Sequence, residues 1–422
     1  MRRKEAPVKS SLENSGKYEI IAKVPLTTSE DLAFYYTPGV ANVSQAIKAD
    51  REKVFEYTAK ANTIAIVSDG TRILGLGDIG PEAGLPVMEG KAILFKKFGG
   101  VDAVPLCINT KDEDEIVNFI KWIEPTFGAI NIEDIKSPKN FNIAEKLSKT
   151  ISIPVFQDDN HGTAVVVLAA LYNALKLAGK SKSAKIIVNG AGTAGIGIAN
   201  LLIAAGFSNI IVADSMGAIY ENRDYNMNRY KAEIAAKTNR GMEKGTLEEI
   251  IEGTDVLIGV SRHGAFSKDM VKRMNEKPMV FALANPEPEI GYKEAKEAGA
   301  YIVATGRSDM PNQVNNLIAF PGIMRGLLDV RAKSISTEAL VAAAGAIAKC
   351  VGRKALGTEY IIPSFADNTV AVEVASNVAE AVASVTTRLG LARVKVCDGE
   401  VRQHAKELIK RYSRIERLII GR

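Results

Sequence analysis

The segment Lys185-Ile-Ile-Val-Asn-Gly190-Ala-Gly192-Thr193-Ala194-Gly195 sets three glycines at GxGxxG spacing where an apolar run ends and a helical pattern begins. Each glycine has a separate physical task. Gly190 permits the tight turn, Gly192 lets a backbone approach a pyrophosphate, and Gly195 allows close packing of helix on strand, with Thr193 and Ala194 at the helix start. GxGxxG alone is a weak signal, because glycine-rich turns are common. Here a second apolar run, NIIVADS, ends in Asp214, near the offset of about 20 residues at which an acid meets the adenosine ribose. The pair predicts a dinucleotide-binding βαβ unit. Asp214 would repel a 2′-phosphate and so favours NAD, while Ser215 and Gly217 leave room for the NADP phosphate if the carboxylate turns aside. A solvated loop acid is the plainer alternative.

Around this unit the chain alternates β-branched runs with helical patterns. The runs IAIVS, VDAVPLCI, GAINIED, IPVFQDD, KIIVNGAG, NIIVADS, DVLIGVS, MVFALAN and YIVATG read as strands. Between them lie amphipathic stretches such as DEDEIVNFIKWIEP, with apolar positions at Ile116, Phe119, Ile120 and Ile123, and the longer Thr163 to Leu177. Such alternation predicts an α/β protein with parallel sheets and functional groups at the carboxyl ends of strands. A length of 422 residues suits two domains. The boundary is placed near residue 160, giving residues 1–160, a nucleotide-binding domain over 161–395, and a basic amphipathic helix over 396–422.

The charge balance supports this ordinary globular reading. Lys+Arg 54 against Asp+Glu 49 leaves +5, too little for a dedicated nucleic-acid binder. The whole excess sits in residues 401–422, where seven Lys/Arg, Arg402 to Arg422, face Glu407 and Glu416. An apolar stripe at Leu408, Tyr412, Ile415 and Ile419 predicts that this helix docks on protein. Cys107, Cys350 and Cys397 form no CxxC pair, so a zinc ribbon or disulfide framework is not supported and a reducing cytoplasm is expected. No secretion signal and no membrane span is read from the apolar runs.

Two acidic pairs, Glu133-Asp134 and Asp158-Asp159, each follow a predicted strand. Parallel neighbours would gather these carboxylates at one sheet edge, where a hard divalent cation such as Mg²⁺ or Mn²⁺ relieves their repulsion. Helix caps or solvated loop acids explain the same spacing. His161 beside them has no second His at ligand spacing, so it is read as a capping, packing or outer-shell group rather than a zinc ligand. Tyr36 and Lys91 would not be singled out by physics alone; either titrates nearer neutrality if desolvated or set beside a cation.

Taken together, Tyr36-Thr-Pro-Gly39, Ser68-Asp-Gly-Thr-Arg72-Ile-Leu-Gly-Leu-Gly-Asp78, Glu89-Gly-Lys91, Ile132-Glu133-Asp134, Phe156-Gln-Asp158-Asp159-Asn-His-Gly162-Thr163, Ala284-Asn285-Pro286 and Asn315-Asn316-Leu-Ile-Ala-Phe-Pro321-Gly322 resemble, in order and over nearly the whole chain, the malic enzymes of compact bacterial or archaeal type. The resemblance implies a malic-enzyme amino-terminal domain followed by a Rossmann-type NAD(P)-binding domain. It implies oxidative decarboxylation of L-malate to pyruvate and CO₂ with NAD⁺ or NADP⁺, Mg²⁺ or Mn²⁺, and a homodimer. Carried over by motif, Glu133, Asp134 and Asp159 resemble the metal ligands and Asp158 a neighbour that orients them or tunes the base. Lys91 resembles the base that takes the hydroxyl proton, and Tyr36 the acid that protonates the enolate. Arg72 resembles a carboxylate clamp. Asn285 and one of Asn315 and Asn316 resemble amides contacting malate and nicotinamide. The competing expectations are a metal-dependent oxaloacetate decarboxylase and a non-catalytic dinucleotide-sensing module.

Overall fold

A computed structural model describes residues 2–420, so Arg422 of the basic tail lies outside the described residues. Among the described residues, ten strands form two sheets. The first contains β1 (Thr63–Ser68), β2 (Asp102–Cys107), β3 (Ala129–Ile132) and β4 (Val155–Gln157), all parallel in the order β2-β1-β3-β4. The second contains β5 (Ile186–Asn189), β6 (Ile210–Asp214), β7 (Gly217–Ala218), β8 (Val256–Gly259), β9 (Met279–Ala282) and β10 (Ile302–Thr305). Its order is β10-β9-β8-β5-β6-β7, parallel except for β7, which returns antiparallel on β6. The expected strands are present; β7 is additional, since a Gly-Ala pair carries no strand pattern.

Parallel strands in crossover units have both faces covered. Along β1, Ile64 and Ile66 point into one cluster and Ala65 and Val67 into another. Along β5, Ile186 and Val188 are in that first cluster while Ile187 faces a third. The first cluster therefore runs between the sheets and joins the two domains. Its axis is the helix Thr163–Ala178, buried on all sides from Ala164 to Leu171. The run Asp158–Ala178 is the one helical stretch among the described residues long and apolar enough to cross a bilayer, and its apolar side chains are spent on this core.

Local signals fix the helix ends. Asp112 accepts from the backbone N–H groups of Asp114 and Glu115 at 2.9 Å each and starts the helix Glu113–Ile123. That helix buries Ile116, Val117 and Ile120, while Phe119 and Ile123 lie at its margin.

The carboxyl-terminal elements cross the sequence boundary. The helix Phe320–Asp329 packs on Pro81–Gly99 of the first domain, with the rings of Phe95 and Phe320 4.6 Å apart. The tail helix Glu400–Ile420 docks on the body, burying Val401, Ala405 and Ile409. Leu408 lies against Gly100, and Lys97 pairs with Glu416 at 3.1 Å. Of the stripe read from sequence, Leu408, Tyr412 and Ile415 are half-buried and Ile419 is exposed. By contrast the helices Ser29–Tyr35 and Val40–Ala49 contain no buried residue.

Candidate active site

Strand register builds the site. Val67, Ile132 and Gln157 are neighbours at the carboxyl edge of the first sheet, so Glu133 and Asp158 leave β3 and β4 side by side. The strand order reverses between β1 and β3, and crevices at such switch points are where α/β sheets bind ligands. The chain after β4 enters a π-helical turn, Asp158–Gly162, which carries Asp158 and Asp159 directly into the core helix. Asp134 adopts φ +52°, and its carbonyl accepts from the Arg72 N–H at 3.0 Å.

Lys91 projects from the helix Pro81–Gly99 and is 8% exposed. Its Nζ donates to Glu133 Oε1 at 3.1 Å and to Asp158 Oδ2, and lies 4.0 Å from the centre of the Phe320 ring. Burial alone would lower the Lys91 pKa, but the two carboxylates outweigh it and hold the ammonium charged. Asp158 is fully buried; burial pushes it up to about 7 against the pull of Lys91. Asn316 Nδ2 also donates to Asp158 Oδ2, while Asp158 Oδ1 is buried without a partner. Asn131 Nδ2 supports Glu133 Oε2 at 2.8 Å.

The remaining acids crowd one another. Burial, then Glu133 and Asp159, push Asp134 up to about 8. Asp159 is raised by burial and Glu133, with Arg72 Nη1 3.5 Å away as partial compensation. Arg72 itself is nearly half exposed, so its remaining donors face solvent. Among the described residues no three His, Cys, Asp or Glu side chains are already arranged to hold a metal ion. The donor set Glu133, Asp134 and Asp159 still suits a hard cation: its ligands are oxygens, and their mutual repulsion raises Asp134 and Asp159. His161 packs on Phe156 with ring centres 5.4 Å apart, burial lowers its pKa to about 4, and its Nδ1 accepts from the Gln157 N–H.

The two adjacent asparagines separate cleanly. Asn315 Oδ1 caps the following short helix through the Leu317 N–H at 2.9 Å, whereas Asn316 joins the acids. Asn285 lies at the end of β9 beside Gly306, and a Cβ on Gly75 would come within 3.3 Å of Pro286, so a loop of each domain meets over the cleft. Tyr36 is 70% exposed in the amino-terminal segment and makes no side-chain hydrogen bond to the acid cluster among the described residues.

In the second sheet Asn189, Gly259, Ala282 and Thr305 end in register around β5. Gly190 has φ +121°, and a Cβ there would strike the carbonyl of Val260. A Cβ on Gly195 would strike Gly190, whereas nothing lies within 4 Å of one on Gly192, leaving the open approach a pyrophosphate needs. Thr193 Oγ1 accepts from Asn140 of the first domain at 3.0 Å, and Ala194 stays partly exposed in the first turn. Asp214 is heavily engaged: Arg223 grips it with two nitrogens, Lys231 Nζ lies at 2.7 Å, and Asn226 and the Met216 N–H also donate. Burial opposes ionisation, yet these donors hold its pKa below the usual carboxylate range.

Sequence reasoning missed Arg223 and Lys231, the phenyl ring of Phe320 and the support from Asn131. A polar residue inside an otherwise apolar strand marked Asn131; Arg223 and Lys231 carried no signal beyond being basic.

Comparison with known proteins agrees with this architecture. The family profile "Malic enzyme, N-terminal domain" matches residues 15–115, and "Malic enzyme, NAD binding domain" matches residues 161–386. A "Bifunctional malic/malolactic enzyme" of Bacillus subtilis is 52% identical over 396 residues, covering 94% of this chain and 96% of its own. An "NAD-dependent malic enzyme" of Geobacillus stearothermophilus is 50% identical over 379 residues, 90% of this chain and 78% of its own. The crystal structure of a malic enzyme from Pyrococcus horikoshii superposes with TM-score 0.93 at 45% identity, over 99% of this chain and 98% of that one. This chain belongs to the malic enzyme family.

Proposed function

We propose that the protein oxidises L-malate with NAD⁺ or NADP⁺ and decarboxylates the product to pyruvate and CO₂. The observation that carries this reading is Lys91, buried between Glu133 and Asp158 at the end of the first sheet, with the open glycine turn of the second domain supplying a place for the dinucleotide. Glu133, Asp134 and Asp159 would hold a divalent cation, Mg²⁺ or Mn²⁺, a Lewis acid that acidifies a 2-hydroxyl and stabilises charge developing on oxygen. Arg72 would clamp a malate carboxylate with its solvent-facing donors.

Lys91 is charged in the unliganded protein, so its action as base requires a proton acceptor. Asp158 is the carboxylate in contact with it, and a dication on Glu133, Asp134 and Asp159 would withdraw the negative charge that keeps Lys91 protonated, bringing the two groups closer in basicity. A proton passed from Lys91 to Asp158 frees the amine to accept the malate hydroxyl proton as hydride departs. Asn316 fixes Asp158 in place for this exchange. Asn285, on the loop that meets the first domain, would orient nicotinamide and substrate. Gly190, Gly192, Thr193, Ala194 and Gly195 would hold the pyrophosphate at the helix amino terminus. Because Arg223 and Lys231 already neutralise Asp214, the pocket repels a 2′-phosphate less than a bare carboxylate would, and both cofactors are accommodated.

Tyr36, as acid to the enolate carbon, must reach a cleft. It lies in an amino-terminal segment where Ile20 93%, Leu26 56% and Phe34 72% are exposed, a run of uncovered large apolar side chains that suits a partner surface. We place this segment at a homodimer interface, where Tyr36 crosses to the partner's cleft. Three unpaired cysteines fit a cytoplasmic setting. The test is to mix Tyr36→Phe and Lys91→Met proteins, each strongly impaired alone. Exchange of subunits regenerates activity if Tyr36 crosses the interface, because one hybrid site then holds both native residues. Absence of recovery in verified hybrid dimers would return Tyr36 to its own protomer.

A further inference from the structure

Beside the turn Asp158–Gly162, a half-open cavity of about 400 Å³ lies between the two domains, lined by Asn160 and His161 of that turn but not by Lys91 or the acid cluster. That volume is in the range of small-molecule sites, and domain junctions are where such sites concentrate. Its first-domain wall is Phe141, Ile153 and Val155; its second-domain wall is Ile196, Ile234 and Ile335. Two cross-domain bonds pin its margin: Tyr230 Oη donates to Asn142 Oδ1 at 2.6 Å, and Arg229 pairs with Glu145 at 3.1 Å.

Apart from neutral amides and hydroxyls such as Gln157, Asn200 and Ser334, the polar groups of this cavity are one imidazole, two acids and three cations. Because His161 Nδ1 accepts a backbone N–H, its ring proton sits on Nε2, and that donor has no protein partner among the described residues. Both acids on the wall are already compensated: Arg229 bonds Glu233 at 2.8 Å as well as Glu145, and Lys149 also pairs with Glu145 at 2.8 Å. Lys237 and Lys333 line the rim, are exposed, and have no ion-pair partner among the described residues. Beside the neutral amides and hydroxyls, the uncompensated groups are an N–H donor and two ammonium groups at the edge of the apolar walls.

We infer that this cavity is a binding site for a small carboxylate with an apolar body, distinct from the malate cleft and placed to act on it. The route of action is short. Asn160 and His161 line the cavity and belong to the same turn as Asp158 and Asp159. A Cβ on Gly197 would strike Asn160, so that turn also packs without slack on the helix that begins at the dinucleotide turn. An occupant touching Asn160 and His161 therefore bears on both halves of the active site.

The probe is 4-phenylbutyrate, with the uncharged 4-phenylbutanol as comparator, titrated into the full-length protein by calorimetry and ligand-observed NMR. A ligand of this size is expected to bind with Kd of about a millimolar, and the alcohol about tenfold more weakly. The Lys237→Gln/Lys333→Gln protein should bind both probes alike. Ile234→Trp, which fills the cavity, should bind neither. Saturating malate and NAD⁺ should not displace the carboxylate, and its saturation should change kcat/KM for malate at least about twofold. Absence of saturable binding, displacement by malate, or an unchanged preference for the carboxylate in the lysine variant would overturn the site. An unchanged kcat/KM at saturation would overturn its effector role. The lysines are on the surface, so that variant tests the site even if Ile234→Trp fails to fold.

Discussion

Replacing Lys91 by Met keeps much of the side-chain volume over the Phe320 ring and removes the charge. Loss of a positioned base costs about 10²–10⁴-fold in turnover, with dinucleotide affinity preserved because Lys91 lies outside the glycine turn. The change also strips Asp158 and Glu133 of their common cation, and stranding a buried charge costs about 3–5 kcal/mol. That cost depends on pH. Lys91 holds Asp158 down from where burial would take it, so in the variant its folded pKa rises above about 7, further from the unfolded 3.8. An acid whose folded pKa is raised binds more protons folded than unfolded across that window, so stability falls as pH rises through it. Thermal unfolding in EDTA should therefore show variant and wild type close near pH 4, with the gap opening towards pH 8 to 9. A pH-independent gap would refute the electrostatic reading of the triad. Turnover within tenfold of wild type would remove Lys91 from the base role.

The other expectations are narrower. Asn316→Ala should lower kcat/KM for malate about tenfold through lost control of Asp158, whereas Asn315→Ala should cost about 1 kcal/mol of stability as a lost cap and leave kcat largely intact; equal kinetic losses would contradict the division between them. Arg223→Leu should expose the charge of Asp214 and shift the kcat/KM ratio towards NAD⁺, and an unchanged ratio would mean another group reads the ribose. Asp214→Ala should destabilise by about 3–5 kcal/mol, because it strands the fully buried Arg223, and a variant as stable as wild type would show the pair to be dispensable.

Much of this was legible before any coordinates. Apolar runs and glycine turns predicted the strands, because parallel strands covered on both faces must be apolar throughout. The carboxylate pairs at strand ends predicted a cluster, and register delivered Glu133 beside Asp158. What could not be read was long-range. Nothing local tells Asn315 from Asn316; a backbone N–H two residues on claims one and Asp158, 158 positions away, claims the other. Asp214 looked like a free ribose acceptor because Arg223 and Lys231 become its partners only when the loop after β6 folds back. Tyr36 is 70% exposed beside other uncovered apolar side chains such as Phe34, and no local pattern in the sequence says what covers them.

Coupling of hydride transfer to loss of a carboxylate at one site is measured by incubating the purified protein with L-malate, Mn²⁺ and either NAD⁺ or NADP⁺, and assaying reduced cofactor and pyruvate in the same sample. Equimolar appearance of the two, abolished by EDTA, is the predicted result. Reduced cofactor accompanied by oxaloacetate in place of pyruvate, or pyruvate formed from oxaloacetate with no cofactor reduced from malate, would contradict it.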